Sequence, residues 1–331
     1  YDDPLLVESG LVILNEEDGE QAKRYDRFRD RIMFPIRNVK GECIGFGGRV
    51  LGDEKPKYLN SPETPVFSKG HELYGLFEAR QALREHGYAL VTEGYMDVVA
   101  LAQLGFPNAV ATLGTACTAD HVHKLFRFTD AVVFSFDGDS AGRRAARKAL
   151  DATLPLATDV RSVKFLFLPP EHDPDSFIRA HGKEAFARFV SEAVPLSQFL
   201  LDAARDGCDL NSAEGRAHLA SKAKPMWDLL PAGALKQQLL GEIADLVQLS
   251  TRELREIWFP AEPRRRGAAR SNTAYSADAE MHPRPVSGRF KAPARSTGHG
   301  AVPASRADHA ARVLLSHMDL WDDLSTEDHN L

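Results

Sequence analysis

Three short apolar runs, each delivering acidic residues, constrain this chain more than any other feature. Leu90-Val91-Thr92 leads into Glu93-Gly94-Tyr95-Met96-Asp97. Val132-Val133-Phe134-Ser135-Phe136 leads into Asp137-Gly138-Asp139, and Phe165-Leu166-Phe167-Leu168 is followed by Asp173-Pro174-Asp175. Strands buried on both faces read as continuous apolar runs, as in parallel sheets covered by helices. Functional groups of open α/β sheets gather at the carboxyl ends of the strands. The pattern therefore predicts that Glu93, Asp137, Asp139, Asp173 and Asp175 meet along one sheet edge. Carboxylates so crowded repel one another unless a cation sits among them, and hard oxygen donors suit magnesium or manganese.

The flanking segments supply the rest of an α/β layer. Strands are expected at 89–92, 109–111, 131–136 and 162–167. Helices are expected at 96–104, 119–126 and 141–154, the last with Ser140 as N-cap and Pro155 beyond its end. Ahead of this layer, residues 1–86 read as a basic α+β part. Val12-Ile13-Leu14 is a strand candidate, and Glu72 to Gly87 has helical spacing. Between Gln21 and Arg49, Lys23, Arg24, Arg27, Arg29, Arg31, Arg37, Lys40 and Arg49 face only Asp26, Asp30 and Glu42. If that segment is extended, period-two alternation puts Arg27, Arg29 and Arg31 on one face. The bland alternative is a bulged hairpin with a solvated charged face. Arg31 to Arg37 and Cys43 to Val50 read as its two strands, and the glycines of the second allow close backbone approach.

After the acidic layer (87–178), residues 179–260 read as a helical subdomain. A helix-turn-helix over Ile243 to Trp258 is weaker than plain bundle packing there. Residues 261–306 are rich in Pro, Arg, Ser, Gly and Ala and predict a flexible linker. Residues 307–331 resume a helical pattern, with Ala310, Val313, Leu314, Met318 and Trp321 apolar. The opening Tyr1 and this unfinished amphipathic stretch suggest a piece of a longer protein. Composition narrows little: 331 residues at 43% hydrophobic and 27% charged suit a folded protein of more than one domain, and a net charge of -6 announces no nucleic-acid binder. Cys43, Cys117 and Cys208 have neither disulfide-framework nor zinc spacing, which points to a reduced, cytoplasmic setting. No apolar run is long enough to span a membrane.

Carboxylates at the ends of adjacent strands suit metal-assisted phosphoryl transfer. Two roles stay open for Glu93, metal ligand or general acid/base. An isolated Asp-x-Asp is most simply a helix cap, and it is the repetition after strands that favours a metal site. Here the residues carry a resemblance. Glu93-Gly94-Tyr95-Met96-Asp97, Asp137-Gly138-Asp139-Ser140-Ala141-Gly142 and Asp173-Pro174-Asp175 resemble the acidic motifs of the Toprim domain. Tyr25 to Ile36, Gly45-Phe46-Gly47-Gly48-Arg49, Lys57-Tyr58-Leu59-Asn60-Ser61-Pro62-Glu63-Thr64 and Leu73-Tyr74-Gly75-Leu76 resemble the RNA-polymerase region of bacterial DnaG-type DNA primases. The resemblance is strong over residues 10–190 and weak over 190–258.

That resemblance implies a Toprim-like parallel sheet and synthesis of short RNA primers from NTPs on single-stranded DNA. Glu93, Asp137 and Asp139 would be the primary metal ligands and catalytic residues, with Asp97, Asp173 and Asp175 behind them. The ions would be Mg²⁺ or Mn²⁺, two or more, with no zinc. Lys57, Asn60 and Lys69 would meet the incoming nucleotide, and Arg27, Arg29, Arg31, Lys57 and Tyr58 the DNA. A zinc-binding domain ahead of Tyr1 and most of a helicase-binding domain, of which 307–331 would be the start, are expected to be missing. The replicative helicase would be a partner through that missing part, and the core would be monomeric and replisome-associated. Rival readings are a Toprim nuclease, a haloacid-dehalogenase-like phosphatase suggested by Asp137-Gly138-Asp139, and a non-catalytic fragment that holds single strands and helicase.

Overall fold

The computed structural model describes residues 3–15 and 23–260; the expected linker and the amphipathic stretch at 307–331 lie outside them. No described helix is long and apolar enough to cross a membrane.

The chain opens with helix α1 (Pro4–Glu8) and an antiparallel pair, β1 (Val12–Asn15) and β2 (Lys23–Asp26). An antiparallel three-stranded sheet follows, built from β3 (Arg31–Arg37), β4 (Cys43–Val50) and β5 (Tyr58–Asn60). Helix α2 (Leu76–His86) leads into the α/β layer: β6 (Ala89–Thr92), α3 (Tyr95–Gln103), β7 (Ala109–Ala111), α4 (Ala119–Leu125), β8 (Ala131–Phe136), α5 (Ser140–Thr153), β9 (Ser162–Phe167) and α6 (Pro174–Ser191). A short strand β10 (Val194–Pro195) precedes helices α7 (Leu196–Arg205), α8 (Ala213–Leu229), α9 (Ala234–Leu246) and α10 (Thr251–Trp258).

The continuous apolar runs have the expected cause. The second sheet has the order β10-β9-β8-β6-β7, and its pairs are parallel except for β10 on β9. Alternate residues enter different cores. Ala89, Val91, Val132, Phe134, Phe136 and Phe165 pack with α5 and the C-terminal helices. Leu90, Val133 and Leu166 pack with Leu101 of α3 and Phe177 and Phe186 of α6. Burial on both faces leaves no polar register, so the strands read as unbroken hydrophobic runs.

Four expectations are corrected. Helix α2 begins at Leu76 rather than Glu72, because Gly75 takes a left-handed φ of 80° and Glu72 instead pairs with Lys124 at 2.8 Å. Helix α5 is capped by Asp139 rather than Ser140. The segment Arg27 to Asp30 is not extended: β2 stops at Asp26, and Asp30 turns the chain with φ 49° before β3 starts. The part expected to be helical, 179–260, also contains a short strand, β10. The pair α9 and α10 is bundle packing, with Leu239, Leu240, Ile243, Leu254 and Trp258 all in the core. That bundle is tied to the sheet layer by Asp159, whose carboxylate accepts from the Ala234 and Leu235 amides at 2.9 and 2.8 Å and so caps α9 from outside.

Candidate active site

Strands β6, β8 and β9 are neighbours, and each delivers carboxylates at its carboxyl end. Glu93 follows β6 directly, Asp137 follows β8, and Asp173 ends the loop after β9. Three of the acids also hold helix starts. Asp97 accepts from the Gly94 amide (3.1 Å), Asp139 from Gly142 (2.8 Å) and Asp173 from Ser176 (2.7 Å). Asp175 pairs with Arg179 one turn along α6. Between Asp137 and Asp139 the residue must be glycine. A Cβ on Gly138 would stand 2.1 Å from the Pro169 carbonyl oxygen and 2.5 Å from that of Leu168. Its amide donates to the His172 carbonyl at 3.3 Å. The Asp137 turn is thus pressed against the loop that carries Asp173.

The electrostatics follow from this crowding. Burial raises the Glu93 pKa first, and the charges of Asp137 and Asp139 raise it further. Asp137 is raised by burial, then by Asp173 and Asp139. Asp97 is only 8% exposed, and burial followed by Asp173 and Asp137 pushes its pKa up to about 7. Among the described residues, however, no three acidic, His or Cys side chains already enclose a single ion position. The donor chemistry fits a hard divalent cation that keeps several waters and takes only one or two carboxylates together with substrate phosphates. Mutual repulsion among oxygen donors is what such an ion relieves.

Facing the carboxylates is a cationic wall. One cavity of about 460 Å³ is lined by Glu93, Asp97, Asp137 and Asp173 on one side and by Arg49, Lys57 and Asn60 on the other. Tyr58 lines it too, its hydroxyl accepting from Arg49 Nε at 3.2 Å. Asn60 is held at both ends: Nδ2 donates to the Leu113 carbonyl at 2.8 Å, and Oδ1 accepts from the Tyr95 hydroxyl. Tyr95, two residues after Glu93, is buried. It stacks on Phe34 of β3 (5.4 Å, 8°) and meets Tyr74 edge-on (4.7 Å). Gly47 on β4 leaves room for this ring, since a Cβ there would stand 2.6 Å from Tyr95 Cζ. Sequence reasoning left Arg49 and Tyr95 out of the site. The available signal was period two along β4, which puts Arg49 on the same face as Gly47.

The remaining expected residues lie elsewhere. Lys69 does not line this cavity; its backbone amide donates to Glu63 (3.0 Å) and its carbonyl meets His121 Nε2 (2.9 Å). Arg29 is exposed, its guanidinium 5.1 Å from the Tyr25 ring centre. Arg31 folds back, its Nη1 donating to the Pro56 carbonyl at 2.9 Å and reaching those of Gly48 and Lys57 at 3.4 Å. Arg27 is half-buried, with Nε enclosed and without a protein partner. The three arginines therefore do not form one strand face.

Comparison with known proteins gives three successive family matches. Residues 1–80 match the N-terminal domain of the DNA primase catalytic core, 90–178 a Toprim-like domain, and 197–252 the DnaB-helicase binding domain of primase. The last falls on the helices after β10, upstream of the 307–331 stretch. A DNA primase of Neisseria meningitidis is 51% identical over 266 residues, 80% of this chain and 44% of its own length. That of Escherichia coli K12 is 50% identical over 240 residues, 72% of this chain and 41% of its own length. The chain thus spans less than half the length of these curated relatives. Among solved structures, a Pseudomonas aeruginosa DNA primase domain superposes with TM-score 0.72 at 49% identity, covering 76% of this chain and 78% of that one. A DnaG primase catalytic domain bound to ssDNA superposes with TM-score 0.71 at 47% identity, covering 76% and 79%.

Proposed function

Because this chain belongs to the bacterial DnaG-type DNA primases, we propose that it is the catalytic part of a DNA-directed RNA polymerase that makes short RNA primers on single-stranded DNA. The observation that carries the reading is the single cavity with carboxylates on one wall and Arg49, Lys57 and Asn60 on the other. A nucleoside triphosphate needs both walls. Its phosphates are drawn to the cations, and its reacting phosphorus must lie beside the acids.

Glu93, Asp137 and Asp139 would hold the divalent ion, Mg²⁺ or Mn²⁺, with Asp97, Asp173 and Asp175 adjusting their charge and position. When bound, such an ion stabilises the charge that develops on the attacking and leaving oxygens. The chain's own residues do the rest. Lys57 and Arg49 neutralise phosphate oxygens, and Asn60, fixed by Tyr95 and Leu113, presents a rigid amide edge to the sugar or phosphate. A Glu93 with a raised pKa is also suited to take the proton of the attacking 3′-hydroxyl. Arg27, Arg29 and Tyr58 would guide the template, through phosphate contacts that fix register but carry no sequence information. Lys69 reaches the nucleotide in this reading only through its side chain.

Residues 1–86, 87–178 and 179–260 would act as basic platform, metal-binding domain and helical subdomain, with 261–306 as tether. The replicative helicase is the proposed protein partner. The match at 197–252 supports it. We place the protein in the bacterial cytoplasm at the replisome, as a monomeric core. The test is ribonucleotide incorporation on single-stranded templates with Mg²⁺ or Mn²⁺, with and without chelator. Template-dependent RNA that vanishes with chelator is expected. DNA cleavage without NTPs, or phosphatase activity lost in Asp137→Asn, would replace the proposal.

A further inference from the structure

A second cavity, of about 380 Å³, opens on the other side of Glu93. It adjoins the first: Glu93, Thr112 and Gly114 line both. Its chemistry is different. Glu93 is its only acid, and its cations are Arg144 and Lys148 of α5. These stand four residues apart, on one helix face. Ala141 and Ala145 line the cavity alongside them, so that face carries only small side chains and positive charge into the space. Both cations are exposed, and neither is paired with a carboxylate among the described residues; Arg144 Nη1 donates to Ser140 Oγ at 3.3 Å. The inner wall is apolar, formed by Val91, Phe134 and Phe136. The volume falls within the range of small-molecule sites, which lies at about 300–1,000 Å³.

A cationic rim over an apolar wall suits a molecule with an anionic end and a flat organic body. Starting a chain from free nucleotides requires two of them at once. The 3′-hydroxyl oxygen of the first attacks the α-phosphorus of the second, the bond from that phosphorus to the β-phosphate oxygen breaks, pyrophosphate leaves, and the hydroxyl proton passes to a base or to water. The first nucleotide keeps its own 5′-triphosphate, a polyanion that the carboxylate wall repels. On the primer-synthesis reading proposed above, we infer that the Arg144–Lys148 cavity is the subsite of the initiating nucleotide and holds its 5′-triphosphate. Glu93 then stands between the two nucleotides, beside the hydroxyl of one and the phosphorus of the other. The subsite is needed only for the first bond, because an annealed primer reaches the reaction centre through its duplex.

The experiment compares Arg144→Gln, Lys148→Gln and the double variant with the unaltered full chain. Both positions are exposed, so folding should be preserved. De novo dinucleotide formation on single-stranded DNA and extension of an annealed RNA primer are measured side by side. Each cation makes a charge-assisted contact, so initiation should fall about tenfold per variant, with a raised KM for the first nucleotide and unchanged extension. Starting from a nucleoside monophosphate should abolish the difference between variant and parent, which identifies the triphosphate as the occupant. Equal losses in initiation and extension, or no loss in either, would overturn the inference. So would altered pyrophosphate inhibition with normal initiation, since that places the leaving group there instead. If the unaltered chain cannot extend even an annealed primer, it is the primer-synthesis reading that fails, and the subsite falls with it.

Discussion

Gly47→Ala is the smallest change that should disturb the site from a distance. The new methyl carbon would lie 2.6 Å from Tyr95 Cζ and 2.7 Å from Cε2 and the hydroxyl oxygen. The ring has little room to retreat, because it is 5% exposed, stacked on Phe34 and abutted by Tyr74. Overpacking of this kind costs about 1–3 kcal/mol. A displaced hydroxyl also leaves Asn60 Oδ1, and a lost net hydrogen bond adds about 1 kcal/mol. The sum is about 2–4 kcal/mol, a fall in melting temperature of about 4–8 °C for a folded part of about 250 residues. Tyr95→Phe alone should cost only the hydrogen bond, about 1 kcal/mol. The double variant is the diagnostic one. Removing the hydroxyl takes away one of the clashing atoms, so the two changes should be non-additive, the pair losing at least about 0.5 kcal/mol less than the sum. Thermal and denaturant melts of the four proteins measure this cycle. A Gly47→Ala chain as stable as the parent, or strict additivity with Tyr95→Phe, would refute the claim that Gly47 is kept open for that ring.

Glu93→Gln should abolish ribonucleotide incorporation and leave binding to single-stranded DNA nearly unchanged; full synthesis by this variant in metal-cleaned buffer plus Mg²⁺ would remove Glu93 from the reaction. Arg29→Ala should lower the salt dependence of DNA binding by about one phosphate contact, whereas Arg31→Ala should chiefly lower the melting temperature, because its guanidinium staples the 56–57 loop to β4. His121 is fully buried, and burial holds its pKa below the ordinary 6.5. The unfolded chain therefore gains that proton first, and stability should fall as pH drops below about 6.5 toward the folded-state value; His121→Gln should flatten the melting-temperature profile across that window. Asp159→Ala should uncap α9 and lower the melting temperature, with loss of amide-exchange protection concentrated at Ala234 and Leu235.

The α/β layer was legible because its signal is local. Strands buried on two faces leave unbroken apolar runs, and β6, β7, β8 and β9 fall where those runs do. The acids after them gather for the same reason. The basic part was harder to read. Alternation of Arg27, Arg29 and Arg31 looks like a strand, but Asp30 adopts a left-handed turn that periodicity does not register. Lys69 resembled a site residue, yet its backbone serves Glu63 and His121. Tyr95 and Arg49 depend on β4 and β5 packing against the start of α3, a contact far apart in sequence that no window of residues contains. No motif in the sequence marks Arg144 and Lys148, and only the cavity beside them distinguishes their helix face.

Asp97, Asp139 and Asp173 each hold the start of a helix, while Glu93 caps nothing. Selection therefore acts on them differently. A lineage that had abandoned polymerisation would still be held to a capping side chain at 139 and 173, because losing a cap costs about 1 kcal/mol. Asparagine or serine would serve there as well as aspartate. Losing Glu93 would cost only its contact with the Asp137 amide once the reaction no longer mattered, and its absence relieves repulsion from Asp137 and Asp139. Among descendants of such a chain, a capping side chain at 139 or 173 is thus poor testimony of a working enzyme. The residue to inspect for decay is the glutamate.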